Sequence, residues 1–212
     1  MRTDHLLAAL VADMTVKSRS AGRRALLLVP VSVGLVLLGF FTVLRVRPDL
    51  MSGAVLPAVS VKILAASLLA AVALRLAFLL GEPGRSDRRL PQALLVVPAV
   101  LLLALGVELA RFGLADWQGR LVGMNQLRCL IVIPLLSMLP LFGILVALRQ
   151  GAVTRPGWAG FISGLAATGM GATLYSLNCT DDSMFFVLTW YTLATLIVAT
   201  VGAVGGRLVL RW

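Results

Sequence analysis

The sequence predicts an all-α fold, a multi-pass membrane helical bundle with six transmembrane helices preceded by a short amphipathic cytoplasmic helix. Three observations carry this expectation. Of the 212 residues, 59% are hydrophobic and only 13% charged, and the mean hydropathy is +0.98, which is more apolar surface than a soluble globule encloses. The charge-free runs fall close to the ~20 residues that cross a bilayer. The arginines cluster between those runs and form no continuous basic face interleaved with aromatics, so the net charge of +10 points to membrane topology rather than to direct nucleic-acid binding.

The first expected span covers residues 25–44. It is longer than a signal-peptide core and no small-x-small cleavage site precedes Arg45, so it is expected to remain in the mature protein. The second, residues 57–80, contains Lys62 and Arg75. These lie roughly 20 Å apart along a helix, so each reaches a different membrane face through its aliphatic stem. Residues 90–107, 130–148, 156–180 and 183–206 supply the other four spans. The chain divides into a tail, residues 1–24, and a transmembrane domain, residues 25–212.

Charge asymmetry sets the orientation. Arg2, Lys17, Arg19, Arg23, Arg24, Arg85, Arg88, Arg89, Arg149, Arg155, Arg207 and Arg211 fall on the side of the N-terminus, against Arg45, Arg47, Arg111, Arg120 and Arg128 on the other. The positive-inside rule then places both termini in the cytoplasm. The loop around Asp181 and Asp182, which has no Lys or Arg, is expected outside.

Gly160 and Gly164 form one GxxxG motif and Gly202 and Gly206 another. Such spacing lets helix backbones approach closely, and packing within one bundle is favoured over a dimer seam. Pro134 and Pro140 interrupt the hydrogen-bond ladder of the fourth helix and should bend it. Trp117, Trp158 and Trp212 fall at span ends, where an aromatic belt is expected. Lys62 and Glu108 approach the outer face and are candidates to pair, although snorkelling of Lys62 and an i,i+3 pair of Glu108 with Arg111 account for them equally.

No Gly-rich phosphate loop, HExxH, GxSxG or CxxC is present, and the single histidine, His5, lies in the tail; nothing suggests an enzyme. The topology puts Cys129, at the start of the fourth span, and Cys179, between the fifth and sixth, at the same outer face. In a bacterial cell that face is the oxidising periplasm. Three readings stay open: two unrelated small apolar residues, a structural disulfide, or a redox- or metal-responsive pair. Asp181 and Asp182 beside Cys179 make a regulatory divalent metal ion at Cys129 and Cys179 conceivable; no other cofactor is implied.

The tail has its own pattern. Thr3 or Asp4 can cap a helix, and Leu6, Leu7, Leu10, Val11 and Met14 recur along one face. An apolar stripe in such a segment wants the bilayer surface or a protein groove. Asp4 and Asp13, with the basic residues held back to Lys17 and beyond, favour the groove.

In Arg128-Cys129, Arg149-Gln150-Gly151, Pro156, Gly160, Gly164, Gly171, Tyr175, Leu177, Cys179, Asp182, Phe185, Trp190-Tyr191 and the closing Leu210-Arg211-Trp212, the chain resembles the NrsF family, six-span bacterial inner-membrane anti-sigma factors. The resemblance implies that the tail, through Asp4, Leu6, Leu7, Leu10, Val11 and Met14, holds an extracytoplasmic-function sigma factor at the membrane. It assigns signal perception, of a heavy metal or an oxidant, to Cys129 and Cys179. Where the family commonly reads His-Cys-Pro-Glu, this chain has Asn178-Cys179-Thr180-Asp181, which weakens a family-type metal site and leaves thiol chemistry untouched.

Two other classes remain open. A small transporter would need a polar midplane site, for which Ser67, Thr168, Thr192 and Thr195 are the available side chains. A membrane thiol oxidoreductase normally wants a CxxC and a second cysteine pair. Retention of a soluble partner on purification separates the anti-sigma reading from both.

Overall fold

Some of the prolines and glycines mark helix ends, Pro57 and Pro156 at starts and Gly113 and Gly123 at stops. The computed structural model describes residues 21–50, 52–82, 90–114 and 116–211. The tail residues Asp4, Leu6, Leu7, Leu10, Val11 and Met14 lie outside this set, as do Arg85, Arg88, Arg89 and Trp212. The described elements are helical, with no strand among them. In chain order they are α1 (Ala21–Val43), α2 (Leu56–Leu80), the single turn α3 (Leu90–Ala93), α4 (Val96–Phe112), the short α5 (Trp117–Val122), α6 (Gln126–Leu148), α7 (Pro156–Ser176) and α8 (Met184–Val209). Prolines stand in the first turns of α2 and α7, where the missing N–H has no helical partner to lose. Gly113 and Gly123 end α4 and α5 at φ values of 60° and 58°, which only glycine adopts without strain.

Four helical segments are long and apolar enough to cross a membrane: Leu56–Leu80, Pro91–Phe112, Trp117–Leu148 and Met184–Val209. This corrects the expectation of six. The described apolar part of α1, Leu27–Val43, is shorter. In α7, five glycines and four Ser or Thr residues among 21 dilute the hydropathy. The reason lies in packing, because α7 is the central helix, flanked by α2, α6 and α8. Its surface meets protein more than surroundings, so small residues that allow close approach replace large apolar ones.

The two GxxxG motifs face each other within the chain, as expected. A Cβ on Gly202 would stand 2.4 Å from the Gly160 carbonyl oxygen, and one on Gly206 would stand 2.8 Å from Gly160 Cα. On other sides of α7, Gly169 abuts α2 at Ala66 and Ala70, and Gly171 abuts α6 at Ile133 and Ser137. Despite Pro134 and Pro140, α6 is helical throughout Gln126–Leu148. The final helix contains a π-helical turn at Val187–Tyr191, a local widening that often marks a functional position.

The bundle has two distinct ends. At one, the Ala152 N–H donates to Gly81 O at 3.1 Å, and Arg149, Val153, Leu210 and Arg211 border a common cleft. At the other, the α1–α2 connection, the α5–α6 junction and the α7–α8 loop converge. These groupings match the two sides inferred from the arginine distribution. The two ends are called the arginine end and the cysteine end below.

Candidate functional site

The α7–α8 loop, residues 177–183, organises the cysteine end. Asn178 donates from Nδ2 to the carbonyl oxygens of Leu44 (2.8 Å) and Arg45 (2.9 Å), and the Arg47 N–H donates to Leu177 O at 3.0 Å. Asp181 accepts from the Asn125 N–H at 2.8 Å and from the Met124 N–H at 3.2 Å. That position, just before α6, is where a carboxylate complements the positive end of the helix. Ser183 caps the start of α8 through the Phe185 N–H. Trp190 adds a donor bond from Nε1 to Leu121 O at 2.8 Å.

Behind this loop lies a buried ionic cluster. Lys62, whose side chain is 0% exposed, donates from Nζ to Asp182 Oδ1 at 2.7 Å and to Asp181 O at 2.9 Å. Arg47, with a side chain 4% exposed, donates from Nη1 to Asp182 at 3.0 Å and to Cys179 O at 2.9 Å. Its Nε and Nη2 form a bidentate pair with Asp49 at 2.8 and 2.7 Å. That guanidinium holds the Asp49 carboxyl below its usual range. Asp182 therefore bridges two enclosed cations from different segments. Each charge is both paired and hydrogen-bonded, as burial requires.

Lys62 thus pairs with Asp182 and not with Glu108. Glu108 instead accepts from Arg120 Nη1 at 3.2 Å, from Ser183 Oγ at 2.8 Å and from the Met184 N–H, so the i,i+3 pair with Arg111 is not what holds it. The sequence marks Lys62 as a charge within an apolar span but gives no direct sign of its partner.

The structure brings Cys129 and Cys179 into one buried cluster with Phe40, Ile133, Tyr175, Phe186 and Tyr191. Both are free thiols, buried to 0% and 1% exposure. Burial pushes the Cys179 thiol above its ordinary value, with the Lys62 charge opposing. A protonated, enclosed thiol is a poor nucleophile. Cys179 Sγ lies 3.9 Å from Asp181 O, the carbonyl that also accepts from Lys62.

Cys129, Cys179, Asp181 and Asp182 do not converge as a ligand set. Among the described residues no group of three or more His, Cys, Asp or Glu side chains is placed to hold a metal. The two carboxylates turn to the α6 N-terminus and to Lys62 and Arg47. The pair that does flank the thiols is aromatic. The Tyr175 and Tyr191 rings have centroids 6.0 Å apart, and their hydroxyls are buried beside the Cys179 thiol. Both positions figure in the family pattern, yet nothing in the sequence reveals that they line the thiols. Three of the four hydroxyls that a transport path would use are engaged locally: Ser67, Thr168 and Thr195 each donate to a carbonyl oxygen three or four residues earlier in their own helix.

Comparison with known proteins identifies the family. The family model described as "Negative regulator of sigma F", NrsF, matches residues 10–212. The chain is 36% identical over 222 residues to the anti-sigma-F factor NrsF of Caulobacter vibrioides (strain NA1000 / CB15N), covering all of both chains. It is 31% identical over 214 residues to the probable anti-sigma-F factor NrsF of Azospira oryzae, again covering all of both. No solved structure matches the chain. Such agreement along the whole length places the chain in the NrsF family, negative regulators of a sigma factor.

Proposed function

We propose that this chain is a bacterial inner-membrane anti-sigma factor that holds an extracytoplasmic-function sigma factor through residues 1–24 and releases it when Cys129 and Cys179 react with a heavy metal or an oxidant. The observation that carries the reading is the end-to-end similarity to two proteins named as anti-sigma-F factors. Embedding in the bilayer is supported by large apolar side chains exposed around the bundle, among them Leu103, Leu135, Phe142 and Leu208 at 67–75%, which a water-soluble surface does not carry in such density. The arginine distribution supports a cytoplasmic arginine end and termini, with the cysteine end in the periplasm. On this reading, Asp4, Leu6, Leu7, Leu10, Val11 and Met14 form the docking stripe for a groove of the sigma factor.

Affinity capture of the full-length protein in mild detergent, followed by mass spectrometry, tests the reading. A stoichiometric sigma factor is the expected companion, and a preparation that holds none overturns it. The sensor assignment has its own test. Replacing Cys129 and Cys179 together by Ser leaves the sigma factor held and abolishes induction by thiol-reactive stress. A double variant that responds normally removes the thiols from the mechanism.

A further inference from the structure

We propose that Asp182, clamped between Arg47 and Lys62, is a releasable latch that transmits the state of Cys179 to helices α1 and α2. The inference rests on the function proposed above and specifies how its signal would leave the thiol.

The wiring is short. The Cys179 carbonyl accepts from Arg47 Nη1 at 2.9 Å. The Cys179 thiol faces Asp181 O, and the same oxygen accepts from Lys62 Nζ at 2.9 Å. Asp182, three residues beyond Cys179, takes both cations on its carboxylate. A larger group on the Cys179 sulfur has no free volume at 1% exposure, so it displaces the loop backbone, and that backbone carries every acceptor of the clamp except Asp49. Arg47 belongs to the connection that follows α1, and Lys62 lies in the second turn of α2. Once the loop shifts, each helix loses its tether to α7 and α8 at this end. Helix α1 follows directly on the N-terminal segment, and α2 leads to the connection at the arginine end.

Energetics suit a switch better than a staple. A buried ion pair adds little net stability over apolar packing, because desolvating its members offsets their attraction. Displacing Asp182, however, leaves Lys62 enclosed and without a carboxylate while Arg47 keeps Asp49, which disfavours return of the loop with Lys62 still buried. The cluster is thus stable when complete and self-opening when disturbed.

The test uses full-length protein in nanodiscs and a Cys129→Ser background, so that alkylation by N-ethylmaleimide reports Cys179 alone. Two readouts are taken together, the alkylation rate and the sigma factor retained on the protein. Asp182→Asn is expected to speed alkylation by at least about tenfold, as loss of a buried charge partner implies, and to release the sigma factor without reagent. Asp182→Glu should stay near the parent in both. If Asp182→Asn fails to reach the membrane, the double variant Lys62→Met/Asp182→Leu removes both charges without stranding one. It should hold the sigma factor and no longer release it after alkylation. Fast alkylation of Asp182→Asn with the sigma factor still bound overturns the latch while leaving the proposed function standing, as does an unchanged alkylation rate. Release from the Lys62→Met/Asp182→Leu protein after alkylation also overturns it. A parent protein that retains no sigma factor defeats the proposed function instead, and the alkylation rates of Asp182→Asn and Asp182→Glu then decide on the latch alone.

Discussion

Gly160 and Gly202 meet backbone to backbone: a Cβ on Gly160 would lie 2.1 Å from the carbonyl oxygen of Gly202. That spacing sets α7 against α8 and makes α7 the pillar on which the cysteine loop is mounted. Because the obstructing atom belongs to the backbone, no rotamer change relieves it. Gly160→Val is therefore expected to cost more than the roughly 1–3 kcal/mol typical of overpacking a core. A thermal melt of the purified variant in detergent should show a clear loss against the parent. An unchanged midpoint would mean that the seam is looser than the structure shows.

The two ends of the bundle allow a direct test of orientation. Both native thiols are enclosed, so the reporters must be introduced at exposed positions on a Cys129→Ser/Cys179→Ser background. Met124, 93% exposed at the cysteine end, and the exposed Thr154 at the arginine end serve this purpose. Met124→Cys should react with a membrane-impermeant maleimide in intact cells, and Thr154→Cys only after the inner membrane is broken. The opposite pattern inverts the topology.

Burial of Cys179 has a pH signature. Its folded-state thiol titrates above the ordinary value because of desolvation, so folding favours the protonated form. That contribution is present in full below the unfolded thiol pKa of about 8.5. It is lost as pH rises towards the higher folded-state value, since the unfolded chain gives up its proton first. The melting temperature of the parent, measured relative to Cys179→Ser, should accordingly fall as pH is raised above about 8.5. Alkylation of the native thiol should also lag that of a free cysteine throughout this window. A parent-to-variant difference independent of pH would contradict the burial.

The tail stripe makes the last prediction. Leu10→Asp puts a carboxylate into an apolar contact, where an unpaired charge is strongly disfavoured. Loss of a buried anchor alone is worth about 2 kcal/mol, or roughly thirtyfold in binding. The outcome expected is constitutive sigma activity at normal membrane levels of the protein, read by a reporter gene and an immunoblot. Asp13→Ala should have the smaller effect. If Leu10→Asp still holds the sigma factor while substitution of Arg85, Arg88 or Arg155 frees it, docking lies on the loops.

The sequence by itself determined that this chain is a helical, membrane-compatible bundle and that Cys129 and Cys179 share one end of it, and it favoured packing of the Gly160 and Gly202 motifs within the bundle over a dimer seam. Hydropathy, helical period and charge spacing are local properties, and local patterns report them. Tertiary structure alone decided the rest. It gave Lys62 a partner 120 residues away in Asp182, turned Glu108 to Arg120 and Ser183, and aimed Asp181 and Asp182 away from the thiols. It also made α7 a central helix whose glycines and hydroxyls keep it below the apolarity of a lipid-facing span. Which helices become neighbours is set by the simultaneous fit of all of them, and a buried charge takes whichever opposite charge that fit delivers to it.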